Sequence, residues 1–121
     1  MKKYSSLVVI LLLFFITPLK ADYLSYLTEE ADKGDIVSQN NLGYLYLYGS
    51  NEYDIPKDID KAIYYLSAAA AQGQVNAMTT VGWTYFTGEH GAPHDNDEAI
   101  YWNQKASDAG FTVASYNIGF F

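Results

Sequence analysis

His90 and His94 flank Gly91-Ala92-Pro93, with Glu89, Asp95 and Asp97 close by. Imidazole and carboxylate are both zinc ligands, and a His-x-x-x-His pair presents its two rings on one side when it lies on a helix. Gly91 and Pro93 instead place this pair in a loop, and Asp95 is already engaged as a helix cap. An ordinary solvated loop is the simpler reading, and no metal is expected. The fourteen carboxylates invite a second chemistry, hydrolysis by a paired acid and base. Most of them, including Asp35, Asp58, Asp60, Asp95, Asp97 and Glu98, fall at expected helix starts, where the macrodipole favours negative charge. The chain has no phosphate loop, no His-Glu-x-x-His and no cysteine nucleophile, so neither a cofactor nor an enzyme is expected.

The elements that must position these residues are repeats. Gly34, Gly73 and Gly110 are spaced 39 and 37 residues apart, and nine positions after each comes an apolar-Gly pair: Leu42-Gly43, Val81-Gly82, Ile118-Gly119. Tyr46 and Gly49, then Tyr85 and Gly88, follow at matching offsets. A period of this length marks an array of supersecondary units, each unable to bury its apolar face alone. The pattern predicts two helices per unit: a first-type helix from Asp35 to about Tyr48, and second-type helices starting near Asp58 and Asp95, the latter with a capping box in Asp95-Asn96-Asp97-Glu98. Glycine within a helix costs about 1 kcal/mol relative to alanine. Its recurrence at 43, 82 and 119 therefore predicts a close helix crossing. Ala62, Ala69, Ala99 and Ala106 allow tight packing, while Tyr65 and Trp102 fill the space between repeats.

Carried backwards, the register puts Tyr26 at the position of Tyr65 and Trp102, and makes Asp22 to Lys33 a second-type helix. Carried forwards, it makes Phe111 to Phe121 a first-type helix. The expected layout is a leading half-repeat (22–33), repeat one (34–72), repeat two (73–109) and a trailing half-repeat (110–121), six helices in all. The trailing helix, through Val113, Ile118, Phe120 and Phe121, presents an apolar face that invites self-association.

Residues 1–21 read as a signal peptide: Lys2 and Lys3, the apolar run Leu7 to Ile16, and Ala21 before a cleavage point. That run is shorter than the roughly 20 residues a membrane span needs, so no stable span is expected after cleavage. The chain left after Ala21 has four lysines, no arginine and fourteen acids, a formal charge of about −10. Nucleic acid, which requires a basic footprint, is excluded as an expected partner. Without cysteine the array relies on helix stacking.

Leu42-Gly43, Tyr46, Gly49, Asp58, Lys61-Ala62, Tyr65 and Gly73, and again Ala77, Val81-Gly82, Tyr85, Gly88, Asp95, Ala99, Trp102 and Gly110, resemble the Sel-one-like repeat family, a relative of tetratricopeptide repeats. The resemblance covers essentially all of Asp22 to Phe121. Ser38, Val81, Ile118 and Glu98 depart mildly from its pattern. It implies an all-α, right-handed α/α solenoid that brings proteins together, in bacteria often exported to the periplasm or secreted. By analogy with tetratricopeptide repeats, Asn40, Tyr44, Thr79, Trp83, Tyr116 and Phe120 line a concave groove, which Leu47 and Phe86 extend. The alternative is that Tyr44, Trp83 and Phe120 pack between repeats. The leading expectation is a non-catalytic module binding a protein or peptide that carries basic residues. Two rivals stand beside it: an envelope or cell-wall-directed, β-lactamase-like hydrolase, whose family counterparts carry paired cysteines that this chain lacks, and a truncated fragment with no independent function.

Overall fold

Asp35, Asp58 and Asp95 each open a helix by accepting backbone hydrogen bonds: from Ser38 at 2.8 Å, from Lys61 at 3.1 Å, and from Asp97 and Glu98 at 3.0 and 3.1 Å. The resulting helices in this computed structural model, which describes the backbone of residues 6–110 and the side chains of residues 19–110, are α1 Ser6–Asp32, α2 Ile36–Tyr48, α3 Ile59–Ala71, α4 Val75–Thr87 and α5 Asn96–Asp108. A single 3-10 turn, Glu89–Gly91, follows α4. Each helix packs on the next, making α2/α3 and α4/α5 the two repeat units. The expected trailing helix, with Val113, Tyr116, Ile118, Phe120 and Phe121, lies outside the described residues.

The periodic glycine has a backbone cause. Gly34, Gly73 and Gly110 hold φ at 102°, 102° and 90°, a region that side chains with a Cβ rarely enter. There the chain leaves a second-type helix through a Schellman turn, with Asp35 N–H donating to Glu30 O at 3.0 Å and Gln74 N–H to Ala69 O at 3.1 Å. The expected capping box is only half formed. Asp95 caps, but its own N–H donates to Tyr85 O at 2.9 Å, so it has no need of Glu98. Asp58 N–H does the same to Tyr46 O at 2.8 Å, tying the start of each second-type helix to the last turns of its partner.

The first-type and second-type helices of each unit meet at the internal glycines. A Cβ on Gly43 would lie 2.5 Å from Leu66 Cγ and 3.1 Å from Leu66 N; on Gly82 it would run into the Asn103 side chain, 2.9 Å from Cγ, and lie 3.3 Å from Ala99 O. The sequence predicts a close backbone crossing here. A side chain fills the crossing first, with backbone directly behind it. Around these contacts Leu42, Ala62, Ala69, Ala77, Val81, Ala99 and Ala106 are buried, the alanines letting helices approach closely.

Asn103 occupies the register held by Leu27 and Leu66, and it is fully buried. Its amide donates to Ala99 O at 2.9 Å, while Oδ1 has no hydrogen-bond partner. An unsatisfied buried acceptor costs about 1–3 kcal/mol. Asn103→Leu, which reproduces the Leu66-on-Gly43 arrangement over Gly82, is expected to raise the unfolding free energy by about 1 kcal/mol. Urea denaturation checks this, and a destabilised variant would mean that Oδ1 is satisfied in solution.

Hydrogen bonds close repeat one and tie it back to the leading half-repeat. Gln72 donates to Gly34 O at 2.9 Å and Gln39 Oε1 at 2.7 Å, and Gln39 in turn donates to Ala31 O at 3.1 Å. Tyr65 stacks on Tyr46, with ring centroids 6.3 Å apart, and donates its hydroxyl to Asp32 at 3.0 Å. Burial, with the Asp32 hydrogen bond and charge behind it, pushes the Tyr65 phenol up to about 12. Its neutral form is therefore favoured by folding. The associated stability is complete below the ordinary phenol value of 10.0 and is lost as pH rises towards about 12. Tyr65→Phe is expected to flatten that alkaline loss in denaturation curves between these limits, whereas an unchanged slope would show that Tyr65 carries none of it.

In the uncleaved chain α1 runs from Ser6 through the Ala21-Asp22 bond to Asp32 without a break. Tyr26, placed by register with Tyr65 and Trp102, is 60 % exposed, and Leu27 and Ala31 are the buried residues instead. Tyr65 has α2 above it, whereas no first-type helix among the described residues lies over Tyr26. No described helix is long and apolar enough to cross a membrane.

Candidate functional site

Side chains four apart on a helix share a face, and in α2 Tyr44 and Tyr48 do so with parallel rings, centroids 6.2 Å apart and planes 4° apart. The Tyr44 hydroxyl reaches across to α4, sharing a 2.7 Å hydrogen bond with Thr80 Oγ1. Two clefts adjoin this pair. One, of about 360 Å³, is lined by Tyr23 of α1, Asn41, Tyr44, Leu45, Tyr48 and Gly49 of the α2 stretch, and Tyr53 of the α2–α3 loop. The other, of about 230 Å³, lies between α2 and α4 and is lined by Leu47, Tyr48, Thr79, Thr80, Trp83, Thr84, Glu89 and His90. Tyr48 belongs to both, so the clefts form one aromatic strip along the first-type helices.

The strip is ordered by its own contacts. Tyr53 faces Tyr23 at 5.1 Å and is carried on a loop closed by reciprocal 2.8 Å backbone hydrogen bonds between Ser50 and Ile55. Burial, then the Glu52 charge, holds the Tyr53 phenol above its ordinary value. Trp83 is 41 % exposed and leans on Phe86 at 5.7 Å. His90 adopts φ 58°, the left-handed region, and its ring stands edge-on to Tyr48 at 5.8 Å. His90 is thus a wall of the second cleft. Among the described residues no group of three His, Asp or Glu side chains gathers at metal-binding spacing.

Of the residues expected on a concave face, Leu47, Thr79 and Trp83 meet in the second cleft, Tyr44 lines the first, and Phe86 supports Trp83. Leu47 is 3 % exposed and belongs to the core, reaching the cleft floor only. Asn40 is partly buried, with an Oδ1 that has no hydrogen-bond partner, and it lines neither cleft. Tyr116 and Phe120 lie outside the described residues. The expected concave face does not include Tyr48, Tyr23 or Tyr53, and the sequence offers His90 only as a candidate metal ligand. For Tyr48 the signal was present: continuing Asn40, Tyr44 by another four residues gives Tyr48, whereas Leu47 is a step of three and turns inward. Tyr23 and Tyr53 converge from α1 and a loop, and no helical period announces that.

Exposed aromatics also occur on the second-type helices. Tyr64 and Tyr101 stand on the outer side of Tyr65 and Trp102, each edge-on at 5.0 Å. They line no cleft described above and serve as internal controls for the strip.

A Sel1 repeat model matches residues 36–74 and 75–111, each match starting two residues after the boundary read from the glycines. The chain is 35 % identical to a Sel1 repeat protein from Oxalobacter formigenes, over 79 % of this chain and 69 % of that one, with a TM-score of 0.65. It is 34 % identical to c5321, a protective antigen present in uropathogenic Escherichia coli strains that displays an SLR fold. That match covers 80 % of this chain but 20 % of the antigen, with a TM-score of 0.69. No curated protein matches the chain.

Proposed function

Because the chain belongs to the Sel1 repeat family, we propose that it is a non-catalytic interaction module whose α2/α4 strip engages a segment of a partner protein. Sel1 repeats generally mediate protein–protein interactions. The observation that carries the reading to this strip is Trp83, a large side chain left 41 % exposed over an apolar cleft, where a partner's side chain gains most from burial. The acidic balance of the chain, fourteen acids against seven lysines, favours a partner segment that carries lysine or arginine beside its apolar anchor.

The proposed setting is the periplasm or the exterior, reached by cleavage after Ala21. A native N-terminus at Asp22 in mass spectrometry supports it, and an intact Met1 in a cytosolic fraction would end it. For the binding face itself, a photo-crosslinking residue at position 83 or 48 is expected to give a discrete adduct in cells that express the full chain. The same residue at position 64 or 101 is expected to give none. Equal adducts at all four positions would remove the strip as the site.

A further inference from the structure

The first cleft has a chemistry of its own. Its walls are two ring pairs, Tyr23 with Tyr53 and Tyr44 with Tyr48, supplied by α1, α2 and the α2–α3 loop. Tyr44 and the Tyr53 loop are held before any ligand arrives. Tyr44 is held by Thr80, and the Tyr53 backbone N–H donates to Ser50 Oγ at 3.3 Å within the closed loop, so little ordering cost remains. An ordinary peptide laid against such walls strands its N–H donors on aromatic faces. Proline has no N–H, and a polyproline II segment makes no internal hydrogen bonds, so its carbonyls stay free for the exposed Asn41 amide. Aromatic-lined grooves recognise proline-rich segments by the same logic.

Charge sets the rest. Glu52 precedes Tyr53 on the loop, near enough that its charge adds to burial in raising the Tyr53 phenol, while Lys57 packs over Gly49, its Cγ 3.2 Å from a Cβ placed there. We propose that this cleft binds an extended, proline-rich segment carrying lysine or arginine, its proline rings between the tyrosine pairs and its cation towards Glu52. The inference rests on the interaction-module reading above and names the partner chemistry for one end of the strip. A glycan, which also lies well on aromatic rings, lacks the cation that Glu52 favours.

The test titrates the full chain with acetyl-Pro-Pro-Lys-Pro-Pro-Lys-Pro-Pro-amide, followed by isothermal calorimetry. Two control peptides replace the prolines by Gly and Ser, or the lysines by Glu. The proline–lysine peptide is expected to bind at least about tenfold tighter than either control, and Tyr48→Ala or Tyr53→Ala to weaken it about tenfold with unchanged melting. Tyr48→Phe should retain binding. Equal affinity for the Gly/Ser peptide, no heat of binding, undiminished affinity in the folded alanine variants, or displacement of the peptide by chitotriose overturns the proposal. Loss of this proposal with a persistent adduct at position 83 leaves the interaction-module reading standing. Loss of both means the strip is not a binding face.

Discussion

Leu66→Ala is expected to lower the unfolding free energy by about 3 kcal/mol, and Gly43→Ala, destabilising on its own, is expected to restore about 1 kcal/mol in that background. Leu66 is among the largest fully buried side chains, so truncation removes its transfer free energy and leaves a void that neighbouring helices only partly close. The void opens directly against Gly43. In the native chain a Cβ there would collide with Leu66 Cγ at 2.5 Å and Cδ2 at 2.7 Å, and relieving such overpacking typically costs about 1–3 kcal/mol. Once Leu66 is shortened, those two atoms are gone. The new methyl then fills part of the void, and the helix gains about 1 kcal/mol from replacing an internal glycine. The sign of the Gly43→Ala effect thus reverses between the two backgrounds. Chemical denaturation of the four species reads it as a double-mutant cycle, and additive effects would show that the two side chains do not share one space.

That crossing also marks how far the sequence could be read. Gly34, Gly73 and Gly110 were legible because a positive φ leaves few residues to choose from, and Asp35, Asp58 and Asp95 because a helix start needs an acceptor for its free N–H groups. Ala62, Ala69, Ala99 and Ala106 were legible because tight helix packing selects small residues at fixed offsets. The half-formed capping box was not, since the Tyr85 carbonyl that takes the Asp95 N–H belongs to another helix. Nor was the place of Leu47: adjacent helical residues point about 100° apart, so an error of one position exchanges the core for the surface. Asn103 hides for a different reason, a polar side chain standing in a leucine register. Half of the aromatic strip follows a period of four along α2 and α4. Tyr23, Tyr53 and His90 reach it through tertiary convergence, and His90 does so through a left-handed backbone that the loop sequence Glu89-His90-Gly91 does not dictate.

Trp83 is where the account of function is most exposed to test. Its ring rests on Phe86 and overlooks the cleft shared with Tyr48, and α4 does not depend on it for its buried face, which is formed by Ala77, Met78, Val81, Gly82 and Thr84. Trp83→Ala should therefore leave the fold standing. A half-exposed tryptophan at the centre of a binding strip typically contributes about 2 kcal/mol once a partner covers it, which is about thirtyfold in affinity. Attraction between an acidic surface and a basic segment adds a salt dependence. The decisive measurement is the dissociation constant of Trp83→Ala, beside wild type and Tyr64→Ala, for the protein that crosslinks at position 83, with a thermal melt of each. A roughly thirtyfold loss is expected for Trp83→Ala alone, with all three melts alike. Undiminished affinity in a folded Trp83→Ala variant would contradict it, and so would a collapsed melt, which would return Trp83 to the core.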